Sequence, residues 1–292
     1  MKVSFTKMNG LGNDYIFFNA LKNSSLVTQI IPYVLKLSDR NFGIGGDGVI
    51  IIESSDTCNC RMRMFNRDGS EGDMCGNGIR ELAKLLWDKK IINKNPLLIQ
   101  TNNGSLSVQM EFDQNKKMNT ALVEMGCLDF DPKNIPFCSP NEHKIEGISV
   151  FTYLYNNQEL LFYVGGIGSK HATCFLLEDV TNFDFCTIGN LIEQDKSLFP
   201  EGVNVEFVNI ISSTQAIMRV WERGSGHTLA CGTGATFVAG LGMYLGKFDP
   251  SKIVEIILER GSLFISQKDD GTMMMKGGAD LVFEGMIDLS TL

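Results

Sequence analysis

Hydrophobic and polar positions alternate in short runs along most of the chain, and the period of that alternation predicts strands. Such runs cover residues 3–8, 15–18, 49–53, 61–65, 97–101 and 106–112 in the first half. The last two flank Asn102-Asn103-Gly104, a hairpin turn. The second half yields strands near 150–155, 160–164, 172–177, 203–211, 215–221, 253–258, 262–267, 273–275 and 279–283. Three stretches break this rhythm. Residues 27–37 carry the period of a helix, and the run after Cys75 places Ile79, Leu82, Ala83, Leu86 and Trp87 on one face. Residues 235–245 carry no charge on any face. A helix apolar all round must be enclosed, so a sheet wrapped around it is expected. Eleven residues are too few to span a bilayer.

The elements recur at a fixed offset. Cys75-Gly76-Asn77-Gly78 and Cys231-Gly232-Thr233-Gly234 lie 156 residues apart, each opening a helical run. At the same spacing Gly10-Leu11-Gly12-Asn13 answers to Gly166-Ile167-Gly168-Ser169, and Phe65-Asn66-Arg67 to Trp221-Glu222-Arg223. Gly104-Ser105-Leu106 answers to Gly261-Ser262-Leu263 with a shift of one. The chain is two copies of one unit. Residues 129–147, with three of the seven prolines, read as the passage between them, giving domains at 1–128 and 129–278.

Composition narrows the function. A net charge of −8, with no cluster of Lys and Arg, argues against nucleic acid as a partner. No apolar run reaches membrane-spanning length and residues 1–7 carry no signal-peptide pattern, so a cytoplasmic protein with reduced thiols is expected. Cys58-Asn59-Cys60 lacks the second pair or nearby His that a zinc site needs, and no metal is expected. Cys127, Cys138, Cys174 and Cys186 sit among apolar residues and are expected to pack as small hydrophobes. The glycine-rich stretch 41–48 precedes a strand and lacks the Lys-Ser/Thr of a phosphate loop.

That leaves Cys75 and Cys231. A cysteine at a helix start lies where unpaired N–H groups point outward with the positive end of the helix dipole. This lowers the pKa of a thiol and suits the binding of a carboxylate. If the copies are related by a pseudo-two-fold axis, two such ends face one cleft. One sulfur then removes the proton alpha to a bound carboxylate and the other returns a proton from the opposite face, inverting the carbon. Both helix ends stabilise the developing enediolate. The scheme requires no electron-sink cofactor, and no Lys lies in a context that suggests a pyridoxal Schiff base. Two readings of other classes compete: a redox protein with a Cys75–Cys231 disulfide, and a non-catalytic amino-acid binder.

The residues 5–14 (Phe-Thr-Lys-Met-Asn-Gly-Leu-Gly-Asn-Asp), Asp68-Gly69-Ser70-Glu71, the two Cys-Gly-x-Gly runs, Gly202-Val203-Asn204 and Trp221-Glu222-Arg223-Gly224 resemble the diaminopimelate epimerase family over nearly the whole chain. The resemblance implies an α+β fold of two pseudo-symmetric domains, each a barrel-like sheet around a central helix, with residues 279–292 returning to the first domain. It implies a pyridoxal-independent epimerase acting on LL- and meso-diaminopimelate, in lysine and peptidoglycan synthesis, with no cofactor. By position, Cys75 and Cys231 are the catalytic pair. Gly76-Asn77 and Gly232-Thr233 hold the reacting carboxylate. Asn13, Asn66, Asn204, Glu222 and Arg223 bind the substrate, Arg223 at the distal carboxylate, and Glu222 and His171 adjust the thiol pKa values. The family pattern Gly-Asn-Pro-His is here Gly168-Ser169-Lys170-His171, so Ser169 takes the place of a substrate-binding Asn. Thr236 replaces a Cys, a change read as helix packing. The Ser169-Lys170 departure keeps a related racemase with another substrate, such as histidine, as the alternative. The expected partner is a small amino acid, with a homodimer left open.

Overall fold

A computed structural model describes residues 1–72 and 74–292. The chain opens with β1 (Lys2–Gly10) and β2 (Asn13–Asn19), then the short helices α1 (Ser25–Ile30) and α2 (Val34–Ser38). Strands β3 (Gly48–Glu53), β4 (Cys60–Asn66) and β5 (Glu71–Gly72) lead to helix α3 (Gly76–Asp88). Strands β6 (Leu97–Thr101), β7 (Gly104–Phe112) and β8 (Met118–Gly126) follow. Next come β9 (His143–Ile145), β10 (Ile148–Tyr155), β11 (Gln158–Gly166), β12 (Lys170–Phe175) and helix α4 (Phe185–Gln194). Strands β13 (Asn204–Ser212), β14 (Gln215–Glu222) and β15 (Gly226–Thr228) lead to helix α5 (Gly232–Tyr244). The chain closes with β16 (Val254–Leu258), β17 (Gly261–Gln267), β18 (Met273–Gly277) and β19 (Asp280–Asp288). Two compact units result: residues 1–124 with 276–292, and residues 125–275.

The fold is α+β, and the units share one pairing scheme. In the first, β1 lies between β19 and β2, antiparallel to both. Strand β2 runs parallel to β3, β3 antiparallel to β4, and β4 parallel to β6. A meander of β6, β7 and β8 completes it. In the second unit β11 lies between β10 and β12, antiparallel to both. Strand β12 runs parallel to β13, β13 antiparallel to β14, and β14 parallel to β16. Parallel neighbours need a crossover, and helices supply it. Helices α1 and α2 carry the chain from β2 to β3, and α4 from β12 to β13. Helices α3 and α5 cross from β4 to β6 and from β14 to β16. These last two are the central helices, packed on strands of their own sheet.

Helix α5 is buried from Gly232 to Met243, as its unbroken apolar sequence demands. Helix α3 keeps a polar edge, where Lys84 pairs with Asp88 one turn on at 3.1 Å. Both helices end alike. Two N–H groups beyond the end of α3, from Ile91 and Ile92, return to the Leu86 carbonyl, and those of Lys247 and Phe248 return to Gly242. The turn needs a left-handed residue, which is Gly246 (φ 65°) in the second unit and Lys90 (φ 56°) in the first.

The structure departs from the sequence expectations at several places. Residues 27–37 are not one helix: Pro32 lacks an N–H and divides the segment into α1, a 3₁₀ turn (Ile31–Tyr33) and α2. Helix α4 was not expected, because Gly189 interrupts its pattern. That glycine packs on Trp221, whose Cβ would lie 2.5 Å from any Cβ added there. Strand β8 also escaped the pattern reading, although Met118, Ala121, Val123 and Met125 point inward. Among the cysteines expected in the core, Cys174 is buried, but Cys127 and Cys138 are exposed and Cys186 is half-buried. The first two lie in irregular chain between β8 and β9, where neighbours such as Met125, Ile135 and Phe137 turn into the core and leave the cysteines outside.

Candidate active site

Each central helix begins on a cysteine held in extended conformation. Cys75 (φ −134°, ψ 114°) caps α3, and its sulfur accepts the Gly78 N–H at 3.4 Å. Cys231 (φ −123°, ψ 113°) caps α5, and its sulfur accepts the Gly234 N–H at 3.4 Å. A sulfur in this place takes one of the orphan donors of the first turn and feels the positive end of the helix. The second glycine of each motif admits a strand side chain against the helix start. A Cβ on Gly78 would meet Ile50 Cδ1 at 2.6 Å, and one on Gly234 would meet Glu206 Oε1 at 2.8 Å.

In the first unit the Cys75 thiol donates to Asn13 Oδ1 at 3.5 Å. Asn13 is fixed by its other contacts: Oδ1 also accepts from Asn77 Nδ2 at 3.1 Å, and Nδ2 donates to Asp47 Oδ2 at 2.8 Å. The fully buried Arg80 holds Asn77 Oδ1 at 2.9 Å and the carbonyls of Gly76 and Gly278. Behind them Asp14 pairs with Lys7 and Arg40, both at 2.6 Å, and Arg40 also meets Asp47 at 2.9 Å. Burial pushes the Asp14 carboxyl up, but Arg40 and Lys7 outweigh it and the net shift is downward. Asp47 is held above its ordinary value, first by burial and then by the charge of Asp14. Asn66 stands at the end of β4, where its amide donates to Ser70 at 3.0 Å.

The second unit presents different partners. His171, fully buried, faces Glu206 through Nδ1 at 2.6 Å and Ser169 through Nε2 at 2.9 Å. Ser169 donates to Thr233 Oγ1 at 3.0 Å, and Thr233 Oγ1 lies 3.5 Å from the Cys231 sulfur. Asn204 donates to Ser169 Oγ at 3.3 Å and to the Lys170 carbonyl at 3.2 Å, and accepts the Arg223 N–H at 2.9 Å. Glu222 accepts the Thr228 hydroxyl. The Arg223 side chain lies across Gly202, where a positive φ of 72° is best met by glycine, and reaches the Glu201 carbonyl at 3.2 Å. Lys170 is tied to Glu201. The Cys231 thiol is pushed well above its ordinary value by burial, then by the charges of Glu222 and Glu206, against the hydrogen bonds from Thr233 and Gly234. Burial likewise raises Glu206, although His171 and Thr173 oppose it.

Apart from Asn66, bonded to Ser70, and the Arg223 side chain, bonded to the Glu201 carbonyl, the sequence-predicted residues gather in two groups. Asn13, Gly76 and Asn77 surround Cys75, and Ser169, His171, Asn204, Gly232 and Thr233 surround Cys231, with Glu222 acting on that thiol through its charge. Asp47 and Glu206 were missed. For Glu206 a signal existed: an acidic residue stands within the apolar run 203–208, where the repeat has Ile50.

This fold of two similar units is one that amino-acid epimerases and racemases share. A hydroxyproline epimerase from Agrobacterium vitis, with trans-4-hydroxy-L-proline bound, superposes with a TM-score of 0.71 at 10% identity, covering 98% of this chain and 91% of that one. A probable proline racemase from Agrobacterium radiobacter K84 gives 0.69 at 12% identity, covering 98% and 93%. Closer relations come from sequence. The model of the diaminopimelate epimerase family matches residues 5–128 and 163–282, and the chain belongs to that family. It is 40% identical to the diaminopimelate epimerase of Brachyspira hyodysenteriae over 289 residues, covering 99% of this chain and all of the relative. The enzyme of Bacillus mycoides is 37% identical over 288 residues, covering 98% and 97%.

Proposed function

We propose that this protein is an isomerase that interconverts LL- and meso-diaminopimelate without pyridoxal phosphate, using Cys75 and Cys231 as proton acceptor and donor at one α-carbon. The observation that carries this reading is the equivalent placement of the two sulfurs, each capping the first turn of a central helix at 3.4 Å from a backbone N–H. The N–H groups of Gly76 and Asn77, and of Gly232 and Thr233, bind the substrate carboxylate and stabilise charge that develops on it during proton removal. Proton transfer by positioned side chains contributes about 10²–10⁴-fold to such a reaction. Asn66, Asn204 and Arg223 are assigned to the remainder of the substrate, Arg223 to its distal carboxylate.

Turnover in D₂O tests the chemistry: solvent deuterium is expected at the inverted carbon with no added cofactor. Dependence on pyridoxal phosphate would refute it. A specific observation favours weighing a second substrate. The Ser169 hydroxyl is engaged by His171, Thr233 and Asn204, and Lys170 by Glu201, so both side chains already have protein partners. A panel of diaminopimelate, histidine and other amino acids decides the substrate. Diaminopimelate is expected to be turned over, and racemisation of histidine alone would replace it while leaving the two-thiol chemistry.

A further inference from the structure

Inversion by two thiols leaves their protonation states exchanged. The base has become a thiol and the acid a thiolate, and both must be reset before the next turnover in the same direction. Among the described residues, the partners of the two sulfurs differ in their capacity for this. Asn13 Oδ1 beside Cys75 only accepts, and its amide is locked between Asn77 and Asp47, so it cannot pass a proton on. Beside Cys231 stands a hydroxyl.

The direction of the bonds behind that hydroxyl follows from counting donors. The Arg223 backbone N–H fixes Asn204 Oδ1 as an acceptor, so Nδ2 is the group that donates to Ser169 Oγ. The single Ser169 proton points to Thr233 Oγ1. Ser169 Oγ must then accept from His171, which places a proton on Nε2. Thr233 Oγ1, already accepting from Ser169, lies 3.5 Å from the sulfur and keeps its own proton free to turn toward it. At the far end His171 Nδ1 meets Glu206 Oε1, whose other oxygen accepts the Thr173 hydroxyl at 3.0 Å. His171, Thr173 and Glu206 are all fully buried. The donors from the imidazole to Thr233 Oγ1 run toward Cys231.

We infer that Ser169 and Thr233 form a relay joining the buried His171–Glu206 pair to the Cys231 sulfur, and that the pair serves as a one-proton store for that sulfur. The inference rests on the two-thiol reading. In the delivering step the Thr233 hydroxyl proton passes to the thiolate, the Ser169 proton to Thr233 Oγ1, the His171 Nε2 proton to Ser169 Oγ, and the Glu206 carboxyl proton to His171 Nδ1. An S–H bond forms, the Glu206 O–H bond breaks, and the negative charge moves from sulfur to carboxylate. The reverse step takes the proton back. The groups whose charge bears on Cys231 are Glu222 and Glu206, and burial raises the Glu206 pKa, the direction that a proton store requires. Ser169, His171 and Glu206 are thus positioning residues that act through Thr233.

Two measurements test this. The chain has three histidines, so ¹⁵N spectra can assign each ring. His171 is expected to carry a proton on Nε2 across the working pH range, and a bare Nε2 overturns the relay whether or not any substrate is turned over. In kinetics, Ser169→Ala is expected to lower kcat about tenfold and shift its pH profile, with KM within about twofold, while Ser169→Thr restores the rate. Glu206→Gln, which keeps the shape but has no acid proton, is expected to match Ser169→Ala, and the double variant to be no worse than either. A raised KM at unchanged kcat would make Ser169 a substrate contact and overturn the relay, as would independent losses in the double variant. Full activity of Cys231→Ala would instead refute the two-thiol reading, which the histidine spectra do not touch.

Discussion

The two halves of the molecule place a cysteine on the same backbone and surround it with different chemistry. Around Cys75, among the described residues, stand an amide, a salt-linked aspartate and two buried cations, Lys7 and Arg80. Around Cys231 they are hydroxyls, an imidazole and a buried carboxyl. The main chain sets what both sulfurs share, namely the capped helix start and the N–H groups of its first turn. Side chains from the neighbouring strands set what distinguishes them. Ile50 and Glu206 show the principle, since each packs against the second glycine of its motif and only one of them can ionise. Duplication supplied two equivalent positions, and substitution behind them gave each sulfur its own hydrogen-bond partners.

The largest expected effect tests the shared part. Cys75→Ala and Cys231→Ala should each lower kcat by about 10²–10⁴-fold, and steady-state rates with purified variants check it. A protein that merely binds its ligand would lose little from either change. Next comes a transplant between the halves. Ile50→Glu introduces a carboxyl at a fully buried site that has no counterpart of His171, since the repeat has Tyr15 there. It should lower stability by about 3–5 kcal/mol, the range for a buried charge without its partner. Urea denaturation measures it, and a wild-type midpoint would show that the two environments are interchangeable.

A third test concerns Glu81, which lies under the first half-site. It is fully buried, both its carboxyl oxygens lack a hydrogen-bond partner among the described residues, and burial raises its pKa well above 4.5. The folded state therefore holds a proton that the unfolded chain releases near pH 4.5, so stability should fall as pH rises from there toward the folded pKa. Glu81→Gln removes that dependence, and its advantage over wild type should grow by up to about 1.4 kcal/mol per pH unit in this window. Thermal melts from pH 4 to 8 check it, and parallel curves for the two proteins would refute it. The smallest effect belongs to the helix ends. Lys90 occupies the left-handed position that the second unit gives to Gly246, so Lys90→Gly should raise stability by about 0.5–1 kcal/mol, read from the denaturation midpoint.

The sequence by itself determined the repeat, the strand-rich units and the cysteine at the head of each central helix, because these leave local marks: period-two alternation, a Cys-Gly-x-Gly run and a helix without charge. Local signals failed where a distant residue decides the outcome. Helix α4 tolerates Gly189 because Trp221, far along the chain, fills the space a side chain would need. Cys127 and Cys138 have apolar neighbours in sequence, yet it is those neighbours that the core takes in, and both cysteines are exposed. The expected cluster around Cys231 included Ser169, His171, Asn204 and Thr233, but the order in which their protons point could not be read from residue types. It is set by Asn204, anchored through the Arg223 N–H, and by Glu206 on a neighbouring strand. Hydrogen-bond direction depends on which donors and acceptors meet in space, and that is fixed only when the strands pair.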